Sequence, residues 1–179
     1  MNNIVDGNTT ILSLQYGNTN RFHTTQIKSG LTLTVSNNAA ANLVFVGTGT
    51  DNGGSQTVAA TVTGTGGRLV VVGTNPGSQI IIQQGSGTAG SHNGTLNLAG
   101  LDTFNLTADR LLVGGAPGTS VNASNYCSGT LFLAKTNLIQ LNGTTTPVVD
   151  VGDAVNNGAT NIVYLGQTNA IFADSMTIA

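Results

Sequence analysis

The chain has 179 residues and a net charge of −2, built from five Lys or Arg and seven Asp, with no Glu. Gly, Thr, Asn and Ser supply 84 of those residues while strong helix formers are scarce, which argues against a helical fold; a hydrophobic content of 39% argues against charge-driven disorder. Basic residues this few, and in no cluster, give no footprint for a nucleic-acid backbone or an anionic membrane, and no run of about eighteen apolar residues is present to insert in a bilayer.

Residues 1–6 carry neither a basic region nor an apolar run, so no signal peptide is read in this chain. From there onward short apolar stretches recur, each closed by Gly, Asn, Asp or Thr, and they predict strands at 31–35, 43–46, 69–72, 80–82, 96–98, 111–113, 131–133, 148–151 and 162–165. No stretch combines a 3.6-residue period with helix caps. The expected class is all-β.

Three segments superpose without gaps: 94–105, 129–140 and 161–172. Each carries Leu or Val at its third place (Leu96, Leu131, Val163) and Leu at its fifth (Leu98, Leu133, Leu165), then a small residue (Ala99, Ala134, Gly166). Asp102, Asn137 or Asn169 follows as a turn marker, and Phe104, Ile139 or Ile171 opens the next strand. Successive copies lie 35 and 32 residues apart, and a third apolar piece closes each one. A unit of strand, turn, strand, turn, strand and variable loop is the pattern of a β-solenoid coil, which stacks on its neighbours because it cannot bury its own apolar face. The expectation is a right-handed parallel β-helix of about six coils at 8–36, 37–62, 63–93, 94–128, 129–160 and 161–179, forming one solenoid domain over 1–179. Leu98, Leu133 and Leu165 should stack inward, and Asp102, Asn137 and Asn169 should form a turn ladder. The rival is an antiparallel β-sandwich, for which the Asn-Gly pairs at 52–53, 93–94, 142–143 and 157–158 speak as hairpin signals.

The runs Gly94-Thr95-Leu96-Asn97-Leu98, Gly129-Thr130-Leu131-Phe132-Leu133 and Tyr164-Leu165-Gly166-Gln167-Thr168-Asn169 resemble the Gly- and Thr-rich parallel β-helices of bacterial surface and secreted proteins. These include autotransporter passenger domains and the autotransporter-associated β-strand repeats. The closing run from Ile171 to Ile178 is similar to repeats of large secreted proteins. The resemblance spans residues 94–179 and implies an exported, adhesin-like or passenger-like structural stalk at a secreted or cell-surface location, with surface glycans or neighbouring repeats as partners. The chain departs from the pattern in stopping at Thr177-Ile178-Ala179, inside an expected strand without a polar cap, so the expectation is a fragment of a longer solenoid, whose exposed ends would otherwise associate end to end.

Candidate chemistry is sparse. Asp150 and Asp153 are the only carboxylates close in sequence; with Val149 and Val151 inward, Asp150 points to solvent and pairs with Asp153 at the next turn. They are weak candidates for a Ca²⁺ site or an acid pair, against the reading of solvated turn carboxylates. His23 and His92 read as isolated loop histidines, and Cys127, the only cysteine, as a small core or turn residue that excludes an internal disulfide. Alternating Thr32/Thr34 and Thr61/Thr63/Thr65 suggest an ice-binding face, but the later repeats put Asn97, Phe132 and Tyr164 there instead. Those three residues form an outward column, read as a surface stripe that binds sugar or simply braces the sheet. The sequence therefore points to a structural segment with no catalysis, no cofactor and no metal. The alternative is a carbohydrate-binding or polysaccharide-acting β-helix.

Overall fold

The computed structural model describes residues 2–17, 21–39, 41–47, 56–83, 90–114, 125–144, 148–152 and 160–178. Among the described residues there is no helix, and the strands follow one another around three faces, A, B and C. The first pass runs β1 (Asn2–Val5), β2 (Thr9–Ile11) and β3 (Leu14–Tyr16); the second runs β4 (Arg21–Ile27), β5 (Thr32–Asn37) and β6 (Asn42–Val46). In the third, the long strand β7 (Gln56–Gly73) covers both A and B, and β8 (Gln79–Ile82) covers C. Then come β9 (Gly90–Asn97), β10 (Leu101–Ala108) and β11 (Arg110–Val113), next β12 (Asn125–Phe132), β13 (Thr136–Leu141) and β14 (Val149–Val151), and last β15 (Ile162–Tyr164), β16 (Thr168–Ala173) and β17 (Met176–Ile178).

Every described pairing is parallel and joins a strand to its counterpart in the next pass, so the molecule is a β-solenoid. Face C is a six-stranded sheet in the order β17-β14-β11-β8-β6-β3, while β7 joins faces A and B into one sheet. The sandwich is thereby excluded. Of the hairpin signals, Asn93-Gly94 lies inside β9, and Asn142-Gly143 extends the ladder, with their N–H groups donating to the carbonyls of Ala108 (3.0 Å) and Asp109 (3.2 Å). The pairs at 52–53 and 157–158 lie outside the described residues.

The period-2 geometry of a strand sends alternate side chains to the core, and stacking turns each inward position into a column. On face B one column runs Val35, Val71, Leu106, Ile139, Ile171; on face C another runs Tyr16, Val46, Ile82, Val113, Val151, Ile178. Both columns are buried except at the last pass. The expected Leu98, Leu133, Leu165 column is present: Leu98 N–H donates to the Phe132 carbonyl (2.8 Å) and Leu133 N–H to that of Tyr164 (2.9 Å). Leu98 and Leu133 are buried, and Leu165 is exposed.

Two expectations need correction. The coil partition is out of phase in the N-terminal half, where a boundary at 62/63 would cut β7; the strand β4 was not predicted because Ile27 is its only apolar inward residue, His23 and Thr25 being polar. The gapless alignment of the first two repeats also fails past the A/B corner. Phe104 pairs with Asn137, two places away from the aligned Asp102, since Leu101 is drawn into the core and lengthens that corner. Asn137 does stack on Asn169, so the ladder holds for those two and excludes Asp102.

The A/B corner absorbs these differences. From the A column Thr24, Thr61, Asn97, Phe132, Tyr164 to the B column Thr34, Val70, Asn105, Leu138, Ala170 the chain advances by 10, 9, 8, 6 and 6 residues. In β7 this corner uses Gly64 and Gly66, the latter at φ 73°, in the left-handed region that favours glycine. A Cβ on Gly64 would collide with the Ile27 carbonyl oxygen, a backbone atom of the pass beneath. Gly64→Ala is therefore expected to lower stability by about 2–4 kcal/mol, whereas Gly7→Ala, which meets nothing within 4 Å, leaves it nearly unchanged. Urea titration followed by circular dichroism checks the contrast.

Candidate functional site

Strand alternation on face A sends Thr61, Asn97, Phe132 and Tyr164 outward in one column, and parallel pairing sets them one above another. The Phe132 and Tyr164 rings stack with centroids 4.4 Å apart and planes within 6°. Phe132 is half-buried and Tyr164 is 47% exposed, so the tyrosine keeps one ring face open to solvent. Asn97 is in the same column, but its side-chain oxygen accepts the Ala99 N–H (2.9 Å), which commits it to the corner turn. Beside the column, at the A/B corner, lies a shallow groove of about 380 Å³ lined by Ala99, Ala134, Lys135, Leu165 and Gln167. Ala99 and Ala134 line it with short side chains, while Gly166 permits close backbone approach, since a Cβ there would collide with the Ala134 carbonyl oxygen.

Two polar networks flank the groove. Asn137 continues a core column that holds Leu33, Leu69 and Phe104 in the three preceding passes, and is 2% exposed. Its amide accepts the Ala134 N–H (3.0 Å), donates to the Ala134 carbonyl (2.7 Å) and donates to Asn169 Oδ1 (2.9 Å). Asn169 repeats the pattern on Gly166, accepting its N–H (3.1 Å) and donating to its carbonyl (2.8 Å). Each Asn thereby satisfies a corner backbone that no ladder reaches. Displaced from that ladder, Asp102 instead accepts the Gly66 N–H (2.7 Å) and pairs with Lys135 Nζ (2.5 Å). The Lys135 ammonium first, and the Gly66 N–H second, hold the Asp102 carboxyl below the usual carboxylate range.

The carboxylate candidates do not converge. Asp150 points away from the core, as Val149 and Val151 face inward, yet it is 5% exposed, which overturns its placement in solvent. The reason is its column: Ile81 and Leu112, its partners in register on face C, are also buried, so this part of the outer side is covered. Asp153 lies outside the described residues. Among the described residues, no group of three or more His, Cys or Asp is placed to hold a metal ion.

His23 is not a loop residue but belongs to β4, half-buried, with its ring 5.7 Å from that of Tyr16. The Tyr16 hydroxyl meets Thr25 Oγ1 at 2.7 Å in the core, and burial raises the Tyr16 pKa, with the Thr25 hydrogen bond opposing more weakly. Sequence reading missed this interior polar cluster because its members are scattered over two passes. The register of β12 on β9 places Cys127 beside His92 on face A. No family model matches the chain, nor does any curated protein or solved structure.

Removing the buried amide leaves the corner N–H and carbonyl of Ala134 without their partner. Asn137→Ala is therefore expected to cost about 2–4 kcal/mol, and Asn169→Ala, in the half-buried last pass, clearly less; urea denaturation of both variants tests the order. Asp102 is held below its unfolded value, so its contribution to stability is present above about pH 4 and is lost as the pH falls through the lowered folded value. Asp102→Asn should flatten that acid limb, as read from urea midpoints between pH 2 and about pH 7.

Proposed function

We propose that this chain is a structural, non-catalytic β-solenoid segment of a bacterial secreted or cell-surface protein, adhesin-like or passenger-like in role. The observation that supports it best is the continuity of the inward columns. Apolar ladders such as Val35, Val71, Leu106 and Ile139 run through successive passes, while Thr34, Val70 and Asn105 lie on the outer side of the same face. An array of this kind resists bending and presents repeated outer positions, which suits a stalk that holds other groups away from a surface. The likeness of residues 94–179 to exported Gly- and Thr-rich β-helices supports the location. Antibodies raised against the chain should label intact cells of the source bacterium without permeabilisation; labelling seen only after permeabilisation overturns the surface location.

A carbohydrate-contacting role is the second reading, and the Phe132–Tyr164 stack favours it. An exposed aromatic face accepts the C–H side of a sugar ring, and Lys135 and Gln167 border the adjacent groove with polar groups for hydroxyls. On a glycan array this reading predicts binding that falls at least tenfold in Tyr164→Ala. Release of reducing ends from polysaccharides by the wild-type chain would replace the structural reading with an enzymatic one.

A further inference from the structure

Among the described residues the first and last passes are unlike each other, and each is paired on one side only. At one end β15, β16 and β17 are each paired on one edge only, to β12, β13 and β14; at the other β1, β2 and β3 are paired only to β4, β5 and β6. An edge of this kind presents a row of unpaired N–H and carbonyl groups. The last pass also exposes apolar side chains that belong to core columns: Leu165 is 64% exposed, Met176 51% and Ile178 73%. Between them lies a cavity of about 240 Å³, reaching Leu133, Ile139 and Val151.

We propose that this end receives the first pass of a second copy, so that molecules stack head to tail. The register chooses the occupant. Continuing each column by one step places Ile11 on Ile171 on face B, and Leu14 on Met176 and Tyr16 on Ile178 on face C. Three apolar columns therefore run across the junction without interruption. The first pass brings its own apolar residues in the half-buried Val5, Ile11 and Leu14, packed against its core.

The polar positions agree as well. Thr9 falls on Asn169. Its hydroxyl donates to the Gly7 carbonyl (2.9 Å), which leaves its lone pairs to accept an N–H from Asn169 and so extend the amide ladder that Asn137 begins. The Leu165 column instead meets Asn3, and the outer Tyr164 column meets Asn2. Charge does not oppose the contact, since Asp174 follows β16 at the B/C corner and Asp6 follows β1 at the A/B corner. A tail-to-tail contact between two last passes would cross the strands antiparallel and align none of these columns. The head-to-tail contact is heterologous and does not close on itself, so it builds linear rods.

This inference concerns the 179-residue chain as a free molecule and does not rest on a surface role. Sedimentation velocity over a micromolar to millimolar series should show the wild-type weight-average mass passing that of a dimer and still rising. The double variant Leu165→Lys/Ile178→Lys blocks the receiving end, and Asn3→Lys/Thr9→Lys blocks the entering end; all four side chains are exposed, and circular dichroism verifies that both variants fold. Each variant alone should remain monomeric, and an equal mixture should form a dimer that grows no further, because one compatible pair of ends survives. A wild-type chain that stays monomeric throughout overturns the proposal. So does self-association of the Asn3→Lys/Thr9→Lys variant, which would locate the contact between two last passes.

Discussion

Everything in this molecule depends on the parallel ladder between one pass and the next. A strand of three residues, such as β14 or β17, contributes too little surface to hold itself in place. It persists because each neighbour supplies the complementary row of N–H and carbonyl groups at a spacing of about 4.8 Å, and because that spacing puts like side chains in contact. Composition follows from this constraint. Branched aliphatics such as Val35, Val71 and Ile139 fill inward columns and small polar residues fill many outward ones. Charge is rare because a column repeats whatever it contains, and stacked like charges repel.

The fold class was legible because its cause is local. Gly94-Thr95-Leu96 and Gly129-Thr130-Leu131 pair residue for residue, so similarity along the chain translates directly into contact in space. What could not be read was where the chain changes face. Leu101 looks like any strand residue, yet its withdrawal into the core shifts β10 against β13 by two places and separates Asp102 from the Asn137–Asn169 ladder. Strand β4 escaped notice for the opposite reason: two of its inward positions are held by the polar His23 and Thr25, which meet the ring and hydroxyl of Tyr16, and only Ile27 is apolar.

The site candidates divide in the same way. The column of Asn97, Phe132 and Tyr164 was legible from alternation alone, and the ring stack follows from it. Asp150 was assigned the correct side of its strand but the wrong surroundings, since alternation tells which way a side chain points and not what lies over it. The buried neighbours Ile81 and Leu112 hint at this in sequence: uninterrupted runs such as Ile80-Ile81-Ile82 mark strands covered on both faces.

The A/B corner carries a consequence for how such a chain can change over generations. Its length varies between 10 residues and 6 from pass to pass while the columns on either side remain aligned. A single-residue change would ordinarily turn every following side chain inside out, yet the step from 10 to 9 occurs at the corner where Gly64 and Gly66 adopt positive φ. Corners of different length coexist with unbroken columns on either side. The corner thus serves as a splice point, at which evolution or an engineer can trim, lengthen or graft sequence one residue at a time without re-registering the core.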